Sequence, residues 1–121
     1  MSKILIIEDD FDVAKVLKKR LSKSSFETLV AEDGYHGIEL AHKEKPDLII
    51  LDLKLPAGGG LGVLKGLRSS LHTKHIPVLV LTAMKDEEYK KKTLEKGVDA
   101  YLEKPYDPAV LLDTIKNILV K

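Results

Sequence analysis

Short, wholly apolar runs alternate along this chain with longer segments of helical period, and no other feature constrains its fold as tightly. Residues 4–7 (ILII), 48–51 (LIIL) and 78–81 (VLVL) contain no polar side chain, as strands covered by helices on both faces require. Five strand–helix units can be counted, with strands predicted at residues 3–7, 26–31, 47–51, 77–81 and 100–102. The second carries Glu27 and Thr28 and the fifth is very short, so these two are expected at the sheet edges. Right-handed crossovers then favour a doubly wound α/β architecture, a parallel sheet of strand order 2-1-3-4-5 with helices on both sides. Its topological switch point falls between the first and third strands, at their carboxyl ends.

The helices are read from their apolar stripes. Val13, Val16, Leu17 and Leu21 mark the first, and Leu61, Leu64, Leu67 and Leu71 the third. The last has Asp107 as cap, Pro108 in its first turn, and Leu111, Leu112, Ile115, Ile118 and Leu119 facing inward. Residues 86–96 offer little beyond Tyr89 and Leu94 amid Lys90, Lys91, Lys92 and Glu95, so this helix is expected to be weakly anchored and the readiest to move. Gly97 would close it in a left-handed cap, and Gly34 and Gly37 suit a turn or close packing at the start of the second helix.

With 121 residues, 44% of them hydrophobic, the chain is expected to form one domain over residues 1–121. Its 20 Lys plus Arg balance 19 Asp plus Glu, which argues against direct nucleic-acid binding and leaves recognition to local features. Cysteine is absent, so disulfides and thiolate metal sites are excluded, and the first apolar run is too short for a signal peptide or membrane insertion. A soluble cytoplasmic protein is the expectation, with any effector domain outside this chain.

The strand ends carry the chemistry. Glu8 and Asp9 end the first run, Asp52 ends the third and Thr82 the fourth, so three acids and a hydroxyl are expected along one sheet edge. Converging like charges are costly unless a cation intervenes, and a hard divalent ion such as Mg2+ (or Mn2+) needs only one or two carboxylates plus a phosphate oxygen. Asp9 and Asp52 meet that need, with Glu8 holding a coordinated water. An ionised Asp52 could then attack a phosphoryl group in line and give an acyl phosphate. Lys104, just after the fifth strand, would set a fixed positive charge against the phosphoryl oxygens, and Thr82 would donate a hydrogen bond. Such a charge-assisted bond is worth roughly 1.5–3 kcal/mol, enough to make Thr82 a trigger.

Taken singly these residues have simpler readings: Asp52 as a turn former before Pro56, Glu8, Asp9 and Asp10 as helix caps, Thr82 as a strand-end hydroxyl, Lys104 as a solvated lysine, Tyr101 as edge-strand packing. In combination they carry a specific pattern. The acid pair Glu8-Asp9, Asp52 with Pro56 and Gly60 four and eight positions on, Thr82-Ala83 and Lys104-Pro105 have the order and spacing of a response regulator receiver domain of two-component signalling, which the chain resembles from Ile4 to about Leu119. The resemblance implies a flavodoxin-like doubly wound (βα)5 sandwich. It also implies a phosphoryl donor that is a sensor histidine kinase, a phosphotransfer protein or a small donor such as acetyl phosphate, with the receiver itself catalysing the magnesium-dependent transfer. It further implies that the backbone carbonyl of Lys54 is a metal ligand, that Lys104-Pro105 is a cis peptide, and that Tyr101 is an aromatic switch turning inward when Thr82 is drawn to the phosphoryl group. The surface of the fourth helix, fifth strand and fifth helix would then change to control a partner or effector domain, with a phosphorylation-dependent homodimer as one outcome.

The chain departs from the family pattern in places. Gly58-Gly59-Gly60 replaces a loop that commonly carries a polar residue, so the turn beside Asp52 is expected to be freer. Lys54 and Met84, each two residues beyond a site residue, border the phosphoryl group in receivers and are expected to tune access of hydrolytic water. Two rivals are an aspartyl phosphatase, whose pattern Thr and cap insertion are absent here, and a receiver-like module that is never phosphorylated, which would usually have lost Asp52, Asp9 or Lys104. The four histidines, His36, His42, His72 and His75, stand on separate elements with only the last two close, which disfavours a zinc site, and no glycine-rich phosphate loop follows the first strand.

Overall fold

Uninterrupted aliphatic residues can serve as strands only where both faces are covered, and this chain meets that demand by laying helices on each side of one sheet. The structure, a computed structural model, describes residues 2–55 and 59–120. The strands are β1 (Lys3–Ile7), β2 (Glu27–Ala31), β3 (Leu48–Leu51), β4 (Val78–Thr82) and β5 (Ala100–Glu103). The helices are α1 (Phe11–Lys23), α2 (Gly34–Glu44), α3 (Gly59–Ser69), α4 (Glu87–Glu95) and α5 (Pro108–Leu119). All pairings are parallel, in the order β2-β1-β3-β4-β5. The expected topology is therefore present, with β2 and β5 at the edges. Thr82 and Glu103, which the sequence reading left just outside their strands, are paired with each other at the strand ends.

Successive side chains of the central strands feed two separate cores. Leu5, Ile7, Ile49, Leu51, Val78 and Val80 meet Ala41 of α2 and Val63, Leu64 and Leu67 of α3, and Tyr89 of α4 packs against the same cluster. Ile4, Ile6, Leu48, Ile50, Leu79 and Leu81 meet Leu17 and Leu21 of α1 and Leu111 and Ile115 of α5. Burial of each such side chain is worth about 1.5–3 kcal/mol. Gly37 lets α2 lie close on β1, because a Cβ there would sit 2.6 Å from Ile7 Cδ1.

Caps set the helix limits. Asp10, Asp33, Asp86 and Asp107 each accept first-turn N–H groups, and Gly97, at φ +84°, follows the end of α4. Arg68 fastens the carboxyl end of α3: its Nε and Nη2 donate to Gly97 O at 3.2 and 2.9 Å, and Nη1 donates to the carbonyls of Lys74 and Ile76 at 3.0 and 2.8 Å.

Two expected core residues lie outside. Val16 is 50% exposed because Ala14, Leu17 and Leu21 define the line that faces the sheet, which leaves Val16 on the flank of α1. Leu71 is 77% exposed because α3 ends at Ser69 and the chain turns there. Buried Thr73, whose hydroxyl donates to Leu67 O at 2.7 Å, and buried Ile76 close that corner instead. In α4, Leu94 is 47% exposed and Thr93 is the buried residue, so the weak anchoring expected of this helix is present in its contacts. No described helix is long and apolar enough to cross a membrane. Pro56, Ala57 and Gly58, on which the reading of the glycine-rich turn partly rested, lie outside the described residues.

Candidate functional site

Parallel register brings the strand ends together. Ile7 pairs with Leu51, Leu51 with Val80 and Val80 with Tyr101, so the residues that follow them reach one edge. The backbone then carries each functional residue past its strand: Asp52 N–H donates to Ile7 O at 3.1 Å, Glu8 N–H to Ala31 O at 3.0 Å and Lys104 N–H to Thr82 O at 2.8 Å. The Lys104–Pro105 peptide is cis.

Glu8, Asp9 and Asp52 each place a carboxylate oxygen within 4.8 Å of the other two. Glu8 and Asp52 are buried, whereas Asp9 is exposed at the rim. Among the described residues this is the one group of three or more His, Asp or Glu side chains placed to share an ion. His42 and His72, expected to be apart, bring their rings to 5.9 Å between centroids, a meeting of α2 with the α3–β4 connection that their sequence separation concealed.

Both oxygens of Asp52 are held. Oδ1 accepts from the Thr82 hydroxyl at 2.8 Å and from Lys54 N–H at 3.0 Å, and Oδ2 accepts from Lys104 Nζ at 3.2 Å. The Thr82 hydroxyl, itself buried, accepts in turn from Met84 N–H at 3.2 Å. Lys104 Nζ also donates to Glu8 Oε1 at 2.6 Å, a pairing the sequence reading did not foresee. Glu8 Oε2 accepts from Asp10 N–H at 3.2 Å.

The electrostatics follow from this wiring. Burial, followed by the nearby negative charge of Asp52, pushes the Glu8 carboxyl up to about 7 against the opposing contacts of Lys104 and Asp10. Asp52 is also opposed by burial, yet Lys54 N–H, the Thr82 hydroxyl and Lys104 together hold it below the usual carboxylate range. Asp52 is thus ionised at neutral pH and available as a nucleophile, while Glu8 carries the strain of the shared site. Three carboxylates converge and two of them pair with one ammonium, and all the donors are hard oxygens, which is the donor chemistry of a magnesium-type ion. The residues present fit such a cation.

The remaining expected residues lie around this centre. The Lys54 side chain is exposed, and Met84 is half-buried against the α3-side core. Tyr101 packs its ring on the same core with its hydroxyl buried and without a hydrogen-bond partner among the described residues, and Lys90 Nζ stands 5.0 Å from the ring centroid. Sequence reasoning missed the cluster around Glu103, which pairs with Lys85 at 2.6 Å and Lys90 at 3.8 Å. The signal available was the alternation of Tyr101 and Glu103 on β5 opposite a lysine-bearing helix.

Residues 4–116 match the family model described as response regulator receiver domain. The chain is 40% identical over 118 residues to the alkaline phosphatase synthesis transcriptional regulatory protein PhoP of Bacillus subtilis (strain 168), covering 97% of this chain and 48% of that protein. It is 35% identical over 117 residues to the phosphate regulon transcriptional regulatory protein PhoB of Escherichia coli (strain K12), covering 97% of this chain and 51% of that protein. The chain therefore spans about half the length of these curated relatives. Among solved structures, the BeF3-activated N-terminal receiver domain of Klebsiella pneumoniae RstA is similar with a TM-score of 0.90 and 31% identity, covering 98% of this chain and 99% of that one.

Proposed function

Because this chain belongs to the response regulator receiver domain family, we propose that it is a phosphorylation-switched signalling domain with Asp52 as its phosphoacceptor. The observation that carries this reading is the convergence on one ionised carboxylate of a hydroxyl at 2.8 Å and an ammonium at 3.2 Å, on opposite oxygens. The donor is the phosphohistidine of a sensor histidine kinase or phosphotransfer protein, with acetyl phosphate as a small substitute. An Asp52 oxygen forms a bond to phosphorus as the bond from phosphorus to the donor nitrogen breaks, and the electron pair leaves with the imidazole. Lys104 moves its contacts from Glu8 and Asp52 to the phosphoryl oxygens, and Thr82 donates to another of them. A Mg2+ or Mn2+ ion, held by Glu8, Asp9, Asp52 and the Lys54 backbone carbonyl, would offset charge on the transferring oxygens.

The domain catalyses its own phosphorylation and dephosphorylation and is not otherwise an enzyme. Thr82 reads the phosphoryl group, Tyr101 is the aromatic switch, its ring already packed inward on the α3-side core in this structure, and the surface of α4, β5 and α5 changes to control a partner or an effector domain outside this chain. A homodimer formed on that surface after phosphorylation belongs to the same reading. So do a cytoplasmic location, one domain over residues 1–121, and no direct contact with nucleic acid or membrane. Lys54 and Met84 tune the acyl-phosphate lifetime: Lys54→Asn and Met84→Ala are expected to change the dephosphorylation rate in timed decay, and unchanged decay in both would remove that role.

Intact-mass analysis after incubation with acetyl phosphate and magnesium tests the reading. One phosphoryl adduct is expected on the wild type and none on Asp52→Asn. An adduct on both, or on neither, would contradict it.

A further inference from the structure

The β3–α3 junction carries a contact that neither Thr82 nor Tyr101 uses. Tyr89, on α4, packs its ring against the α3-side core, and its hydroxyl accepts a hydrogen bond from Leu61 N–H at 3.0 Å. Leu61 lies in the first turn of α3, where backbone N–H groups have no partner within their own helix. A side chain of α4 thus supplies an acceptor that α3 lacks. The same hydroxyl fills the space beside Gly59, where a Cβ would lie 2.7 Å from Tyr89 Oη, and Gly59 itself has φ +70°. One residue on, Gly60 N–H donates to Leu53 O at 2.9 Å, and Leu53 directly follows Asp52. Asp52, Leu53, the first turn of α3 and Tyr89 are therefore joined by a continuous set of bonds.

On the α4 side this contact has few competitors. Thr93 is buried and donates its hydroxyl to Tyr89 O at 2.8 Å, Asp86 accepts from Tyr89 N–H at 3.1 Å, and Leu94 is 47% exposed. Beside Lys90, which stands over the Tyr101 ring and pairs with Glu103, Tyr89 is thus the large apolar-bodied side chain by which α4 is held to the α3-side core.

We propose that Tyr89 is a positioning residue that ties α4 to the backbone following Asp52, so that a change at the phosphoacceptor reaches the output face through the first turn of α3 as well as through Thr82. The proposal rests on the reading of Asp52 given above. A rearrangement at Asp52 shifts Leu53 and with it the turn at Gly60 and Leu61, and the hydroxyl of Tyr89 transmits that shift to the one helix whose own packing resists it least.

The test is Tyr89→Phe in the full chain, which keeps the ring and removes only the hydroxyl. Amide hydrogen exchange is followed with and without beryllofluoride and magnesium, a stable substitute for the phosphoryl group. Without beryllofluoride, Leu61 N–H is expected to exchange about threefold to tenfold faster in the variant, as loss of one hydrogen bond implies. With it, the change in protection over Glu87–Glu95 is expected to fall at least about twofold relative to the wild type. A purely structural role would move the baseline and leave that difference intact. Equal responses of α4 in the two proteins, with both binding beryllofluoride, would overturn the role of Tyr89, as would unchanged exchange at Leu61. Failure of the wild type to bind beryllofluoride would instead overturn the reading of Asp52, which separates the two claims.

Discussion

At Asp52 the chemistry depends on which contacts outweigh burial. Lys54 N–H, the Thr82 hydroxyl and Lys104 hold this carboxylate below its usual range against a burial that works to raise it. In the proposed switch Thr82 would read the phosphoryl group, since the same oxygen atom accepts from Met84 N–H and donates to Asp52. Thr82→Ala is expected to leave the Asp52 adduct in place while removing a bond worth about 1.5–3 kcal/mol, so the switched population should fall roughly tenfold or more, measured as the α4 response to beryllofluoride. Glu8 bears the opposite burden. Its folded value of about 7 lies above the ordinary 4.5, so the folded state binds the extra proton between those limits. In chelator, stability is therefore expected to decline as pH rises from about 4.5 through about 7, and Glu8→Gln should flatten that decline in denaturant titrations. Magnesium should raise the thermal midpoint at neutral pH, and Asp9→Asn should remove most of that rise while, as a change at an exposed residue, hardly altering the metal-free protein.

Among the elements, α4 is where the proposed switch would meet the surface. Thr93 is the buried residue of this helix, so its amides are expected to exchange faster than those of the other four helices, and protection equal to that of α5 would contradict the assignment. Arg68 works against such mobility by fastening the end of α3 to Gly97, Lys74 and Ile76. Arg68→Ala should destabilise the fold by about 1.5–3 kcal/mol in thermal or denaturant melts without abolishing the Asp52 adduct, because these bonds lie at the end of α3 away from Asp52. The strands were legible in the sequence because their aliphatic runs have no other stable use, and the central position of β1, β3 and β4 followed from their lack of polar side chains. The exposure of Val16 and Leu71 was not legible, since it depends on how α1 is rotated and where α3 stops. Nor was the bond from Leu61 to Tyr89, which joins residues 28 positions apart through a helix crossing that no local pattern encodes.

Across the whole molecule, strand order makes a site out of residues that are far apart in sequence. Glu8 and Lys104 are 96 positions apart and touch at 2.6 Å because β1, β3, β4 and β5 present their carboxyl ends side by side. That arrangement could be anticipated from the run-and-turn pattern together with the right-handed crossover rule, and with it the meeting of Glu8, Asp52, Thr82 and Lys104. The wiring within the site could not be anticipated, because the pairing of Lys104 with Glu8 depends on side-chain reach from the turn after β5. Reductive trapping tests the central claim most directly. After incubation with acetyl phosphate and magnesium, borohydride converts an aspartyl phosphate to homoserine, and peptide mapping locates the converted residue. Homoserine at position 52, abolished by chelator, is the predicted result, whereas conversion at Glu8 or Asp9, or at no position, would contradict the account.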